Sequence, residues 1–201
     1  MRQRLTTCAL LASLYTATAR GQTPPEGDRQ TRVALLQAAT TARDEGRFTA
    51  ALELALRAEQ LGATAGTRLL VAQLRQRIGD YAGALFSAEQ CQRDADSDTQ
   101  TSASNRRAIR ERCGAIASDA RPRTGTLRVD VPSDAPAALE VLVNREPLRA
   151  ALYGVAHPVN AGPALVTASV PGGASWEGRV LVAPRAAESI RVEIPARVAA
   201  T

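Results

Sequence analysis

An internal repeat constrains the fold of this chain more than any other feature. Residues 45–52, Glu-Gly-Arg-Phe-Thr-Ala-Ala-Leu, line up with Ile-Gly-Asp-Tyr-Ala-Gly-Ala-Leu at 78–85, thirty-three residues later. From Arg29 to about Arg93, Ala, Leu and Val recur at steps of three and four residues, which predicts helices. Because a single hairpin of two short helices cannot bury its own apolar face, the two units must stack against each other.

Each copy carries the same signals for a turn between two helices. A glycine is predicted to end the first helix in the left-handed conformation. An aromatic ring then fills the turn, and an alanine lets the two helices approach closely. These residues are Gly46, Phe48 and Ala51 in the first copy and Gly79, Tyr81 and Ala84 in the second. A further helix around residues 106–117 would cap the array.

These positions resemble the second helix of the tetratricopeptide repeat, and Ala39 and Ala72 match the close-contact alanine of its first helix. The resemblance covers about one third of the chain, which lacks the family's first-helix aromatics and terminal prolines. It implies a binding groove in which Arg43 and Arg77 would hold a carboxylate of a peptide or an acidic glycan. The alternative is that these are merely exposed helix residues. The residues predicted to face the groove are Thr40, Arg43, Gln73, Gln76 and Arg77.

The second half of the chain has a different pattern. After Arg121-Pro122-Arg123, proline and glycine become frequent and apolar residues alternate with polar ones. Short alternating segments separated by turn residues predict a small antiparallel β-sandwich. The predicted strands lie at residues 126–131, 139–143, 164–170, 178–182 and 189–194.

The order of these segments resembles a PEGA-type β domain, or the related carboxypeptidase-regulatory-like sandwich. The resemblance rests on residues 125–129 as first strand, on 141–148 as a strand with its turn, and on Ala161-Gly162, Pro171-Gly172-Gly173 and Trp176. The family's signature after the first strand is replaced by Pro-Ser-Asp-Ala-Pro-Ala at 132–137. Such modules imply binding or spacing outside the cytoplasm and no reaction.

The predicted fold class is therefore α+β with several domains: helical hairpin repeats followed by a small antiparallel sandwich. The predicted boundaries are a signal peptide at 1–21, a disordered segment at 22–28, the helical domain at 29–120, a linker at 121–125, the β domain at 126–196 and a tail at 197–201.

The first residues have the pattern of a secretory signal peptide. Arg2 and Arg4 precede an apolar run, and small residues follow with cleavage after Ala19 or, slightly shifted, after Gly21. The run is shorter than the roughly 20 apolar residues of a membrane anchor. Removal of this segment takes away three arginines and leaves 22 basic against 20 acidic residues, a net charge of +2. That excess is too small for phosphate-driven binding to nucleic acid.

Two cysteines remain after the predicted cleavage, Cys91 and Cys113, since Cys8 lies within the signal peptide. An even pair in an oxidising compartment predicts a disulfide, which would stabilise the fold by roughly 3 kcal/mol. Two independent buried thiols are the alternative. The spacing of Cys91 and Cys113 matches no metal-binding motif.

No pattern of catalytic residues is present. The chain has no lysine, which excludes a phosphate-binding P-loop, and its single histidine, His157, precedes Pro158 in a loop-like context. Ser175 lies in a motif that only partly matches a nucleophile elbow. The run of alternating aspartates at 94–98, in a polar segment predicted to be a loop, lacks the glycine turn and distal glutamate of a calcium hand. We expect no enzyme activity, cofactor or metal.

The leading hypothesis is an exported scaffold of a bacterial periplasm or cell surface that binds a protein, a peptide or a cell-wall glycan in the helical groove. The alternative is a structural or adhesive envelope component that self-associates through an edge of its β-sheet. Neither hypothesis includes a transmembrane segment in the mature chain or contact with nucleic acid, and the oligomeric state is open.

Overall fold

The computed structural model describes residues 26–173 and 175–193. The predicted signal peptide, residues 22–25 of the predicted disordered segment and the tail lie outside these ranges. The described chain forms five helices followed by seven strands, and this order confirms the α+β class. Among the described helices, none is long and apolar enough to cross a membrane. The helices are α1 (Glu26–Asp44), α2 (Phe48–Leu61), α3 (Ala65–Arg77), α4 (Tyr81–Ser97) and α5 (Ala103–Ala120).

The two repeat glycines end their helices as the sequence predicts. Gly46 has φ 76° and Gly79 has φ 81°, both in the left-handed region. The amide of Gly46 donates to the carbonyl of Arg43, and the amide of Arg47 donates to that of Ala42. The second repeat has the same pair of hydrogen bonds: the amide of Gly79 donates to the carbonyl of Gln76, and the amide of Asp80 donates to that of Arg75. Both turns are therefore Schellman motifs.

The repeated alanines form the contact surfaces between neighbouring helices. Three positions in each copy are 0% exposed, which is possible only where another backbone comes close. They are Ala39, Ala51 and Ala55 in the first copy and Ala72, Ala84 and Ala88 in the second. Helices α1 and α2 pack as one pair and α3 and α4 as the next, and α5 packs against both α4 and α3. The helical core is thus built from equivalent positions of the repeat.

Three helix ends differ from the predicted ones. Helix α1 begins at Glu26, so residues 26–28 of the predicted disordered segment are helical. Helix α4 continues to Ser97, which places the start of the predicted polar loop at 94–102 in its last turn. This turn is stabilised by the burial of Ala95 and by an ion pair in which the Asp94 carboxylate lies 2.8 Å from Nε of Arg68. Helix α5 begins before residue 106 because the Ser102 side chain caps it by accepting from the amide of Asn105.

The β region begins directly after α5. A 3₁₀ turn at Arg121–Arg123 leads into β1, so the predicted linker at 121–125 holds this turn and the first two residues of a strand. The strands are β1 (Thr124–Asp130), β2 (Glu140–Val143), β3 (Glu146–Leu148), β4 (His157–Asn160), β5 (Gly162–Ser169), β6 (Ser175–Val182) and β7 (Ala187–Arg191).

The strands form two sheets that share one apolar cluster. One sheet has the order β4-β1-β7 and the other β3-β2-β5-β6. Leu127 and Val129 of the first sheet and Val141 and Val166 of the second are buried in the same cluster. Alternation along the strands places these apolar side chains on the inner faces, as the sequence pattern predicts.

The four-stranded sheet is antiparallel, but the three-stranded sheet is mixed, so the prediction of an antiparallel β domain is wrong for that sheet. Strand β7 pairs with β1 in parallel, with Thr126 opposite Ala187. The cause is the path of the chain, which leaves β6 in one sheet and turns at Arg185, where φ is 61°. The amide of Arg185 donates to the carbonyl of Thr124, and this bond places the chain beside the start of β1.

The expected loop around His157 is also wrong, because His157–Asn160 form strand β4. This strand is short, contains Pro158 and lies at the edge of its sheet, where the missing amide of a proline is tolerated. Strands β2 and β3 are joined by the two-residue turn Asn144-Arg145, with φ values of 52° and 71°. Two positive φ values are typical of the type I′ turn of tight hairpins.

Candidate functional site

A groove on the helical region brings together most of the residues that the sequence analysis selected. It encloses about 980 Å³ and lies between the C-terminal ends of α1 and α3 and one face of α5. We call it the arginine groove. Its lining residues are Arg43, Asp44, Phe48, Gln73, Leu74, Gln76, Arg77, Tyr81, Arg112, Ala115, Ile116, Asp119 and Arg123.

Four of the five predicted groove residues line the arginine groove, namely Arg43, Gln73, Gln76 and Arg77. Thr40 does not. It lies one turn before Arg43 on α1 and lines a separate, shallow depression, and its hydroxyl donates to the carbonyl of Leu36. The groove opens at the C-terminal ends of the helices, so Thr40 lies too far back along α1 to reach it.

The sequence analysis missed the wall that α5 contributes. Arg112, Ile116 and Asp119 are spaced by four and three residues and therefore lie on one face of that helix. This spacing was visible in the sequence, but the helix was interpreted only as a cap of the array.

A hydrogen-bonded network joins two walls of the groove. Nε2 of Gln76 donates to Oδ2 of Asp119 at 2.7 Å, which links α3 to α5. The other carboxylate oxygen of Asp119 accepts from Arg123 at 3.3 Å. Arg123 also donates to the Tyr81 hydroxyl at 2.9 Å, and its guanidinium lies 4.8 Å from the centre of the Tyr81 ring. The side chains at this end of the groove are held in place before any ligand arrives.

The groove has more positive than negative charge. Its four arginines face two carboxylates, Asp44 and Asp119. Arg43 is paired with Asp44 at 2.9 Å, and Arg123 with Asp119. Within residues 26–173 and 175–193, neither Arg77 nor Arg112 lies within 4.0 Å of a carboxylate oxygen. Among the described residues, these two guanidinium groups have no carboxylate that a ligand would have to displace.

Apolar side chains also line the groove. Leu74 and Ile116 are buried, and Phe48 is half-buried. They lie in the same concave surface as the arginines. The surface of the groove therefore combines an excess of positive charge with a half-buried aromatic ring.

The end of the groove is fastened to the β region. The Asn160 side chain at the end of β4 donates to the carbonyl of Gly79 and accepts from the amide of Ala82, both at 2.8 Å. These two bonds occupy the backbone at the start of α4, beside Tyr81. Strand β4 thus helps to position the aromatic ring on which Arg123 is stacked.

The structure does not assemble a catalytic site from Ser175 and His157. His157 lies in β4 at the edge of one sheet, and Ser175 begins β6 at an edge of the other sheet. Nδ1 of His157 is 3.4 Å from the carbonyl of Val155, its only hydrogen-bond contact within the described part of the chain.

The aspartates at 94–98 are engaged in separate contacts. Asp94 pairs with Arg68 and Asp96 with Arg110. Asp98 accepts from the Thr101 hydroxyl and from the amides of Gln100 and Thr101, and these bonds, led by the one from the hydroxyl, hold the pKa of its carboxyl below the usual value. The residues that the structure describes contain no group of three His, Cys, Asp or Glu side chains placed to hold a metal ion.

The two cysteines lie together between α4 and α5. Their sulfur atoms are 2.07 Å apart, which is disulfide distance, and both side chains are buried. The bond would tie the wall that carries Arg112 to the second repeat.

The chain matches no protein-family model and no curated protein, and its structure matches no solved structure.

Proposed function

We propose that this protein is a non-enzymatic scaffold that binds an acidic, partly apolar segment of another protein in the arginine groove. The observation that carries this proposal is the pair Arg77 and Arg112, which lack a carboxylate partner within the described residues and line the same concave surface. Guanidinium groups bind carboxylates through two parallel hydrogen bonds, so a ligand with acidic side chains fits them.

The half-buried Phe48 in the groove favours a peptide over a glycan. Its ring offers a contact to a hydrophobic side chain, which an acidic polysaccharide lacks, whereas Leu74 and Ile116 are buried in the core beneath it. A peptide that alternates acidic with apolar residues would satisfy both features of the surface.

The paired helices support the tetratricopeptide-like interpretation of the first half of the chain. Equivalent residues of the two copies make equivalent turns and buried contacts, and peptide binding on a concave face is what such repeats imply. The two sheets with one shared apolar cluster support the sandwich interpretation of the second half, in which the β region spaces the groove from another surface.

A location outside the cytoplasm belongs to the same proposal. The signal-peptide pattern of the first 21 residues and the cysteine pair at disulfide distance both favour an oxidising compartment, the periplasm or the cell surface.

Fluorescence anisotropy with three labelled probes tests the groove. The probes are a short peptide that alternates glutamate with leucine, the same peptide with lysine in place of glutamate, and a uronic-acid oligosaccharide. We expect the acidic peptide to bind most tightly and its affinity to fall with added salt. The double variant Arg77→Gln/Arg112→Gln should weaken its binding by about tenfold or more, because two charge-assisted contacts are lost.

A matched control removes the same charge elsewhere. Arg57 and Arg93 are exposed helix residues outside the groove, so Arg57→Gln/Arg93→Gln should bind the acidic peptide like the wild type. Equal weakening by both double variants would show that only overall charge matters. Tighter binding of the oligosaccharide or of the lysine peptide would contradict an acidic peptide as ligand.

A further inference from the structure

The four sheet edges of the β region differ in how they are protected from pairing with another strand. Strands β3 and β6 form the edges of one sheet, and β4 and β7 those of the other. Strand β3 contains Pro147 and β4 contains Pro158, and a proline at an edge removes a donor that an incoming strand would need. Strand β7 has only five residues. Strand β6 has eight residues and no proline.

Among the described residues, the outer edge of β6 has no hydrogen-bonded strand, although β7 of the other sheet packs close to β6. All eight residues pair with β5 on one side, from Ser175 opposite Ser169 to Val182 opposite Gly162. On the other side, the described residues give β6 no backbone hydrogen bond. The outward-facing Leu181 is 72% exposed, the largest exposed fraction among the large hydrophobic side chains that the structure describes. An edge strand with these properties is suited to receive another strand.

The sequence of β6 is complementary to itself in one antiparallel register. If Gly178 of one copy lies opposite Gly178 of a second copy, Glu177 lies opposite Arg179 of the second copy, and Arg179 opposite its Glu177. Both side chains point outward and are exposed, Glu177 to 53% and Arg179 to 79%. Directly opposed charges of opposite sign stabilise a strand pair, whereas like charges destabilise it.

We propose that two copies of this chain associate through β6, in the antiparallel register centred on Gly178, to form one eight-stranded sheet from two four-stranded sheets. Within one chain, Glu177 and Arg179 already contact each other at 3.0 Å. In the dimer each would gain the opposite charge across the new strand pair. Leu181 would lie opposite Ser175 of the second copy and lose much of its exposure.

The inner face of β6 does not have to change for this pairing. Trp176 and Val180 pack against the apolar cluster of the β region, and the Trp176 ring covers Gly178 so closely that a Cβ there would collide with it. The inner side chains therefore hold the strand in place, while its outer backbone edge has no strand partner among the described residues.

Sedimentation velocity over a range of concentrations tests the dimer with the full mature chain. We expect the wild type to shift from monomer to dimer as concentration rises. The single variants Glu177→Arg and Arg179→Glu each replace two opposed pairs of unlike charge with two of like charge. Each should raise the dimer dissociation constant by about tenfold or more.

The decisive measurement mixes the two variants. Glu177→Arg carries two arginines and Arg179→Glu carries two glutamates, so a mixed dimer again has two pairs of unlike charge. We expect the mixture to associate like the wild type, although each variant alone associates more weakly. The double variant Glu177→Arg/Arg179→Glu should also restore association within one chain.

Circular dichroism of each variant establishes that the fold is retained, and the groove variant Arg77→Gln/Arg112→Gln serves as a control that should dimerise normally. A wild type that stays monomeric at the highest concentration would refute the proposal. So would single variants that associate like the wild type, or a mixture that does not recover.

Discussion

Replacing the repeat glycines by alanine should destabilise the helical region by about 1 kcal/mol at each site. Gly46 and Gly79 have φ values of 76° and 81°, and a Cβ at either position would meet no heavy atom within 4 Å. The variants Gly46→Ala and Gly79→Ala therefore introduce no steric clash, and only the backbone conformation is penalised. An L-residue in the left-handed region costs roughly 1–2 kcal/mol. The lower entropy of the unfolded chain with alanine offsets about 0.4–1 kcal/mol of this.

Urea unfolding followed by far-ultraviolet circular dichroism measures the change, because most of that signal comes from the helices. Gly66 provides the control, since it lies in the first turn of α3 without a positive φ, and a Cβ there would lie 3.9 Å from the nearest heavy atom, Oγ1 of Thr64. Gly66→Ala should leave stability unchanged or raise it slightly. Gly79→Asn should be milder than Gly79→Ala, because asparagine tolerates the left-handed conformation better.

The two repeat positions should give the same free-energy change, because their turns have the same hydrogen bonds. If both alanine variants unfold at the wild-type urea concentration, the left-handed turns do not hold the helix pairs together, and the physical account of the repeat is wrong. A loss at Gly66 as large as that at Gly79 would show instead that any alanine in this region disturbs packing.

Two further predictions concern the cysteines and a loop carboxylate. The double variant Cys91→Ala/Cys113→Ala should have a free energy of unfolding lower by roughly 3 kcal/mol, as expected for a disulfide between residues 22 apart in the sequence. In urea unfolding, reductant should destabilise the wild type but not this variant. Wild-type stability that does not respond to reductant in that experiment would mean that no disulfide forms. The Thr101 hydroxyl and the amides of Gln100 and Thr101 lower the pKa of Asp98 in the folded state. The Asp98 carboxylate therefore stabilises the folded state at pH values above the usual pKa of an aspartate, and this contribution is lost as the pH falls through the lowered pKa. Thr101→Val should raise that pKa in a carbon-detected NMR titration, and an unchanged value would contradict the assigned cause.

The sequence predicts the helical half well because local signals and packing agree there. Gly46, Ala51 and Ala55 recur as Gly79, Ala84 and Ala88, and each pair adopts the same conformation or burial. A left-handed turn is a property of a few neighbouring residues, so it can be recognised without knowing the rest of the fold. The last turn of α4 was missed because its residues are polar, and a distant partner, Arg68, holds Asp94 in place.

The β half was predicted less completely, because strand pairing depends on residues far apart in the sequence. The alternation of apolar residues identifies a strand but not its neighbour, so it could not show that β7 joins β1 in parallel. Strand β4 is four residues long with a proline, a pattern that is equally typical of a loop. Asn160, which fastens this strand to α4, could not be recognised before Gly79 was known to lie beside it.

Only the part of the arginine groove that has local sequence signals could be predicted from the sequence. Arg43, Gln73, Gln76 and Arg77 were identified because they occupy the first helices of a recognised repeat. Arg112 and Asp119 lie in a helix that continues the packing of α3 and α4 without repeating the sequence motif, so only the structure brings them into the groove.

Pairing through β6 is compatible with ligand binding in the arginine groove. The groove lies on α1, α3 and α5, whereas β6 lies at an edge of the four-stranded sheet, so the strands that pair do not obstruct the groove. A dimer would then carry two grooves on one particle. Once one acidic segment of a two-segment partner has bound, its second segment is held at a high effective concentration near the second groove. The two-segment partner would therefore bind the dimer more tightly than a single segment does, although each groove makes the same contacts. Measuring the same two-segment peptide against the wild type and against Arg179→Glu separates the two effects, because the variant keeps its groove but has only one per particle. Equal affinity for both proteins would show that the groove acts alone.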